Sequence, residues 1–322
     1  MYRFVGVFLF FFTFIKTVVC WSDEGHMLTA AIAFDGLTND EQKILSHIFT
    51  NYKEDDNFNN AIYASVWPDH IKSFGGIYCQ NTKRNDGLNL MNEWHYINIP
   101  FNPLNVAVDE YYIKYYNHGS NALTILKRIY SNLKRTKKKK NFGTYFSYNF
   151  MLRYFIHIFG DIHQPLHTIS FYNKYFLKGD HGGLDINIIY NNNKYSLHYL
   201  CDNVFFTRNH KWPHITPENV MLLAKDLMKK YPPYYFKDRF HKDQIRGDKL
   251  KNIVNDSYKV ALDSIYSIFS MPNLNPNSQY ILSTTYVANL IQVLEKQIVL
   301  GGYRLRYFLK NIINNIPDDL IQ

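Results

Sequence analysis

The sequence predicts a mainly α, single-domain fold with one small β-hairpin, and three observations carry that expectation. From Trp21 onward, apolar residues recur at three- and four-residue spacing through most of the chain, the period of helices that bury one face. Alternating runs are confined to Trp94–Ile99 and to the stretch from Gly182 to Leu197. No internal repeat and no linker rich in Pro, Gly or Ser divides the chain, although 322 residues could make two modest domains. A hydrophobic content of 46% suffices for a substantial core, and 20% charged residues exclude a disordered chain.

The elements follow in order. Residues 1–20 are expected to be a signal peptide: Arg3 precedes an apolar run from Phe4 to Ile15, and Val18 and Cys20 suit cleavage before Trp21. A membrane anchor fits less well, because the run is short and Lys16 interrupts it. Residues 21–322 would then be the mature domain, expected to be soluble, monomeric and without a stable membrane span. Its compartment would be the secretory pathway, secreted or lumenal, a vacuole or lysosome-like lumen included.

Gly25 to Phe34 reads as a first helix, and Thr38-Asn39-Asp40-Glu41 as a capping box opening a second that runs to Tyr52. Ala61 to Lys72 is helical at least in part, despite Pro68. Gly75 to Leu90 reads as loop, Trp94–Ile99 as a short strand or extended segment, and Ser120 to Lys134 as a further helix. Much of the formal net charge of +9 sits in the run Lys134–Lys140, best read as a solvated loop; the charge itself favours polyanionic partners. A helix then runs through Phe150 to Asp161 and is ended by Pro165.

A hairpin is expected from 182–188 and 194–197 around Asn191-Asn192-Asn193, then a helix carrying His198 and Asp202. Thr216-Pro217-Glu218 caps a helix that stops before Pro232-Pro233. Two long helical patterns close the chain, Asp248–Phe269 and Gln279–Asn311, the second interrupted at Gly301-Gly302 for close packing. Of three cysteines, Cys20 would leave with the signal; Cys79 and Cys201 remain, and an oxidising compartment would permit them to pair. Asn255-Asp256-Ser257 is an N-glycosylation acceptor.

The chemistry is concentrated in His157-Ile158-Phe159-Gly160-Asp161-Ile162-His163-Gln164-Pro165-Leu166-His167. A lone histidine on an apolar helix face is more often a satisfied core residue than a ligand. Here candidate donors recur in five places: His26, Asp69, His95, the His157/Asp161/His167 block, and the pair His198/Asp202. The i,i+4 spacing within His157/Asp161 and His198/Asp202 lets each pair reach one ion. Imidazole and carboxylate donors without thiolates point to zinc in open, catalytic sites. So many donors exceed one four-coordinate ion, and closely spaced ions favour phosphoester hydrolysis.

In its ordered motifs the chain resembles the zinc-dependent S1/P1 single-strand nucleases. That family includes plant bifunctional nucleases and protozoal 3′-nucleotidases, and bacterial zinc phospholipase C is its fold relative. The resemblance runs from Trp21 to about Asn311. It rests on Trp21-x4-His26, Trp67-x-Asp69, Trp94-His95-Tyr96-Ile97, the block from His157 to His167, Gly182-Gly183, His198-x3-Asp202 and Gly302-Tyr303-Arg304-Leu305. It implies the helical phospholipase C/single-strand nuclease fold and three zinc ions. Asp69, His95 and His157 would hold one, with Asp161 bridging to a second. That second ion would take the free amino nitrogen and carbonyl oxygen of Trp21, plus His26. His167, His198 and Asp202 would hold a third.

The implied activity is hydrolysis of single-stranded DNA or RNA to 5′-nucleotides, with 3′-nucleotidase activity, by a metal-held hydroxide. Lys72 would neutralise the phosphorus centre, Tyr96 would stack on an unpaired base, and Asn98 stands where fungal members carry a base-binding aspartate. Leu184 replaces the family's usual Asn after Gly-Gly, and Cys201 stands where Trp is common. His163 is expected to be structural or to support the ligands. His47, His70, His118, His181, His210, His214 and His241 are expected at the surface or in the core. The same residues would also suit a zinc phospholipase C-like enzyme or a zinc- or nucleic-acid-binding protein without turnover.

Overall fold

The computed structural model describes residues 21–51, 56–71, 86–109, 119–135, 145–203, 212–237, 239 and 250–317. Helix α1 (Asp23–Asp35) lies at the centre. Its residues from Glu24 to Ala33 are all buried, so it lacks the solvent face of a surface helix. Around it pack α3 (Ala61–Ala64), α5 (Tyr145–Asp161), α7 (Pro217–Lys230) and α9 (Thr284–Ile313). Helix α2 (Asn39–Thr50) opens on the expected capping box: Thr38 accepts from Glu41 N while Glu41 accepts from Thr38 N. Helix α4 (Ala122–Leu133), capped by Asn121, packs on α5. Helix α6 (Leu197–Asp202) follows the hairpin, and α8 (Leu250–Val260) precedes α9.

The β-structure is small. Strand β1 (Ile99–Phe101) pairs in parallel with β2 (Ile169–Phe171), Ile99 opposite Ile169. Strands β3 (Asn187–Tyr190) and β4 (Asn193–Ser196) form the hairpin, with Asn191 and Asn192 both left-handed at φ 48° and 60°. A type I′ turn demands that geometry, and asparagine tolerates it. Strand β5 (Gln279–Ile281) adds in parallel to β3. Among the described residues, no helix is long and apolar enough to cross a membrane.

The structure corrects several expectations. Residues 94–99 are not one strand: a 3-10 stretch, Asp86–His95, ends on His95 and the strand begins at Ile99. Gly182 and Gly183 lie outside the hairpin, in a left-handed turn. Gln279–Ile281 is strand rather than helix, because β3 offers its edge. Helix α9 runs unbroken through Gly301-Gly302, and only the close-packing half of that reading holds. A Cβ on Gly302 would stand 2.5 Å from Ile32 on α1, and one on Gly301 3.1 Å from His163. The pattern of 248–269 divides into α8, a π turn at Ala261–Ile265 and a 3-10 turn at Tyr266–Ile268. The helical stretch from Ala61 likewise divides at a turn, residues 65–66, into α3 and a second helical segment at 67–71 that carries Asp69.

Candidate metal centre

Five elements converge on one carboxylate. Asp161 closes α5, one turn beyond His157, so both side chains leave the same helix face. Asp161 Oδ2 lies 3.0 Å from His95 Nδ1 and 3.3 Å from His157 Nε2. Its other oxygen, Oδ1, lies 3.4 Å from His26 Nε2 and 3.4 Å from His167 Nδ1. Asp69 completes the cluster, 3.7 Å from His157 Nε2, 3.8 Å from His95 Nδ1 and 4.0 Å from His26 Nε2. Apart from the partly exposed Asp69, every member is buried.

Two donor groups therefore share a wall: His26, Asp69 and His157 on one side, His95, His157 and Asp161 on the other. A third group, His167, His198 and Asp202, lies beside them. There Asp202 places Oδ1 3.5 Å from His167 Nε2 and Oδ2 3.3 Å from His198 Nε2. The imidazoles of His167 and His198 stack 5.0 Å apart.

These donors fit metal ions. A tetrahedron with bonds of about 2.0–2.1 Å has donor–donor edges of roughly 3.3 Å, close to the spacings found. His26 Nδ1 and Nε2, Asp161 Oδ1, His167 Nε2 and Asp202 Oδ2 are buried without a hydrogen-bond partner. Buried polar atoms in that condition are costly unless a cation or water satisfies them.

The backbone fixes the rings. His157 Nδ1 donates to Ser65 O (2.6 Å), His167 Nδ1 to His95 O (2.8 Å) and His198 Nδ1 to Gly182 O (2.8 Å). In each case Nε2 is left for the cluster, the pattern in which an outer hydrogen bond selects tautomer and ring orientation. His95 differs, turning Nδ1 toward Asp161. Gln164 donates Nε2–H to Asp202 Oδ1 at 2.7 Å and accepts from Leu166 N, so it locks one carboxylate from the turn after α5.

Electrostatics separate the two carboxylates. Burial alone would raise the pKa of Asp161, but His157 and His26 outweigh it and hold the acid well below its ordinary range. Burial pushes Asp202 up to about 8, with His198 and Gln164 offsetting only part of the cost. Asp202 is thus an acid that a cation would ionise. Burial, reinforced by His26, drives His157 well below the usual imidazole range and keeps it neutral, as a ligand must be.

The sequence candidates fall as follows. His26, Asp69, His95, His157, Asp161, His167, His198 and Asp202 all come together. Trp21 is buried beside them: its indole Nε1 donates to Gly160 O at 3.0 Å, and Ser22 N donates to Asp202 O at 3.0 Å. Tyr96 and Asn98 line an open cleft with Leu166, His167, His181, Leu184 and His198. Two members of the third donor group, His167 and His198, thus form part of its wall. Asn98 is left-handed at φ 56°. Lys72 and Cys79 lie outside the described residues. Cys201 carries a free, buried thiol whose pKa burial raises.

His163 is structural. It donates Nδ1–H to Phe159 O at 2.8 Å and accepts from Arg304 at 3.3 Å, away from the ligand clusters. His181 is exposed, as expected, and also lines the cleft. Sequence reading missed the carbonyls of Ser65, His95 and Gly182, because a backbone acceptor leaves no residue-type signal. Gln164 stands within the block, and its side-chain amide between Asp161 and His167 in sequence was the available clue.

A helical fold around adjoining imidazole–carboxylate groups defines the class: a metal-dependent hydrolase. Residues 21–314 match the family model described as S1/P1 Nuclease, and the chain belongs to that family; it is a nuclease. Endonuclease 1 of Arabidopsis thaliana is 24% identical over 308 residues, covering 94% of this chain and 90% of the relative. Endonuclease 5 of the same plant is 23% identical over 307 residues, covering 93% and 92%.

Proposed function

We propose that the chain is a zinc-dependent single-strand endonuclease and 3′-nucleotidase that releases 5′-nucleotides, processed before Trp21 in the secretory pathway and active as a monomer. The observation that carries this reading is the opening of the Tyr96/Asn98 cleft onto His167 and His198, beside the cluster around Asp161.

Asp69, His95 and His157 would hold one zinc, with Asp161 shared; His26 and the freed amino end of Trp21 would hold a second; His167, His198 and Asp202 a third. Bound there, the ions would supply Lewis acidity and lower the pKa of water enough to make a nucleophile near neutral pH. The protein's own contribution is orientation. Asp161 spans two donor groups with its two oxygens, so their separation is set by one side chain. Tyr96 offers a ring face to a base, and stacking accepts any base that is unpaired. Asn98 offers both amide donors and an acceptor to a base edge. Lys72 would stand near the phosphorus and neutralise developing charge. An amide nitrogen is a poor metal ligand, so cleavage before Trp21 would complete the second group.

The test is direct. Protein stripped with chelator and reloaded with zinc is given single-stranded and duplex oligonucleotides, a 3′-nucleotide, and phosphatidylcholine vesicles; metal content and N-terminal sequence are read from the same sample. Zinc-dependent release of 5′-nucleotides from the single strand, with phosphate from the 3′-nucleotide, is expected. Phosphocholine release alone, or oligonucleotide bound but left intact, overturns the proposal.

A further inference from the structure

The acceptor that orients His198 differs in kind from those that orient His157 and His167. Ser65 O belongs to a helical turn, and His95 O to a segment tied to β2 through the bonds Ile97 N to His167 O and Ile99 N to Thr168 O. Gly182 O instead belongs to a turn whose residues His181, Gly182 and Gly183 are all left-handed, at φ 53°, 63° and 83°. Such a run is strained at His181 and has no regular ladder to hold it. A Cβ at Gly182 would meet Leu166 O at 2.2 Å, so the turn is also pressed against the chain between Gln164 and His167.

The structure shows what restrains it. Asp180 is fully buried and its carboxylate is used on both oxygens. Oδ1 accepts from Phe171 N at 2.8 Å and from Gly182 N at 3.1 Å, joining the end of β2 to the turn. Oδ2 accepts from the phenol of Tyr266, itself fully buried in the 3-10 turn after α8, with its ring 6.0 Å from Phe101 and Phe171. A buried carboxylate whose partners are two amides and a phenol is costly to keep, and an apolar residue would serve packing better. Burial accordingly raises its pKa to about 6.

We infer that Tyr266 and Asp180 are positioning residues for the third donor group: the phenol holds the carboxylate, the carboxylate holds the 180–183 turn, and the turn's Gly182 carbonyl sets the tautomer and angle of His198. The inference rests on the proposed zinc site only for its consequence, not for the brace itself. Outer hydrogen-bond partners of metal-ligating histidines carry about 10–100-fold in metal affinity, and that is the range expected here.

Two readouts decide it, on the full chain bearing Tyr266→Phe, Asp180→Ala or Asp180→Asn. In metal-free protein, long-range proton–nitrogen NMR of the His198 ring reports its tautomer. Wild type and Asp180→Asn should show one Nδ1–H form, because Asn Oδ1 can accept both amides while its NH2 donates to the Tyr266 oxygen. Tyr266→Phe and Asp180→Ala should show a mixture. In zinc titration against a chelator, those two variants should bind the weakest zinc about 10–100-fold less tightly, with Asp180→Asn close to wild type. An unchanged His198 signal in Tyr266→Phe and Asp180→Ala overturns the brace, even if they melt earlier. Absence of zinc binding in wild type overturns the proposed function instead, and the NMR result still decides the brace.

Discussion

His26 and His157 lie face to face in the core, ring centroids 3.8 Å apart and planes 17° from parallel, and each presents Nε2 to a different oxygen of Asp161, at 3.4 and 3.3 Å. Two imidazoles in such contact repel if both are protonated, which is one reason His157 is held neutral. The stack delivers two ligand-ready nitrogens to opposite ends of one carboxylate.

That relationship makes Asp161 the member least open to substitution. Asp161→Asn keeps its shape but removes the charge shared by two donor groups. Turnover on single-stranded oligonucleotide should fall by more than about a hundredfold, beyond the loss expected for an outer partner alone. Elemental analysis should show metal missing as well; near-normal turnover would reject the shared role.

Tyr96 borders the cleft rather than the ligand cluster, so its removal should act on binding. Base–aromatic stacking carries about 1–3 kcal/mol. Tyr96→Ala should therefore raise KM for short single strands roughly 5- to 150-fold with kcat largely kept, and Tyr96→Phe should behave as wild type. A fall in kcat with KM unchanged would place Tyr96 elsewhere in the reaction.

Gln164 can be separated from the ligands it serves. Gln164→Leu deletes the donor to Asp202 Oδ1 and leaves a buried carboxylate with less support. Binding of added zinc at His167, His198 and Asp202 should weaken about 10–100-fold in a chelator competition, while binding at the Asp161 cluster stays. Equal loss at both would show a general folding defect.

His163 should appear in the acid limb of stability. Burial first, and Arg304 second, hold its pKa at about 3, against 6.5 for a free imidazole. The unfolded chain therefore binds this proton more readily between those values. The contribution is fully present above pH 6.5 and is lost as pH falls toward 3. In metal-free protein, His163→Gln should flatten the dependence of unfolding free energy on pH in that window by up to about 1.4 kcal/mol per pH unit. Parallel curves for the two proteins would contradict the assignment.

Removing metal should cost stability as well as activity. Any ion bound only by the folded state at a thousand times its Kd adds about 4 kcal/mol. Chelation should lower the melting temperature and zinc should restore it; no change on either treatment would argue against the buried donors holding an ion.

What sequence alone determined is local. The i,i+4 pairs His157/Asp161 and His198/Asp202 share a face wherever a helix forms, and both helices formed. The Thr38 capping box and the Asn191-Asn192 turn carry their geometry within a few residues. The spaced motifs from Trp21 to Leu305 pointed to the family that the match over residues 21–314 shows. Tertiary structure decided whatever depends on a distant partner. Gln279–Ile281 became strand because β3 lay beside it, and α9 continued through Gly301-Gly302 because helix α1 and His163 filled the space a side chain would have taken. The carbonyls of Ser65, His95 and Gly182, and the carboxylate of Asp180, became the partners that aim the imidazoles only once the chain had closed. A backbone oxygen is the same in every residue, and its neighbour is chosen by packing.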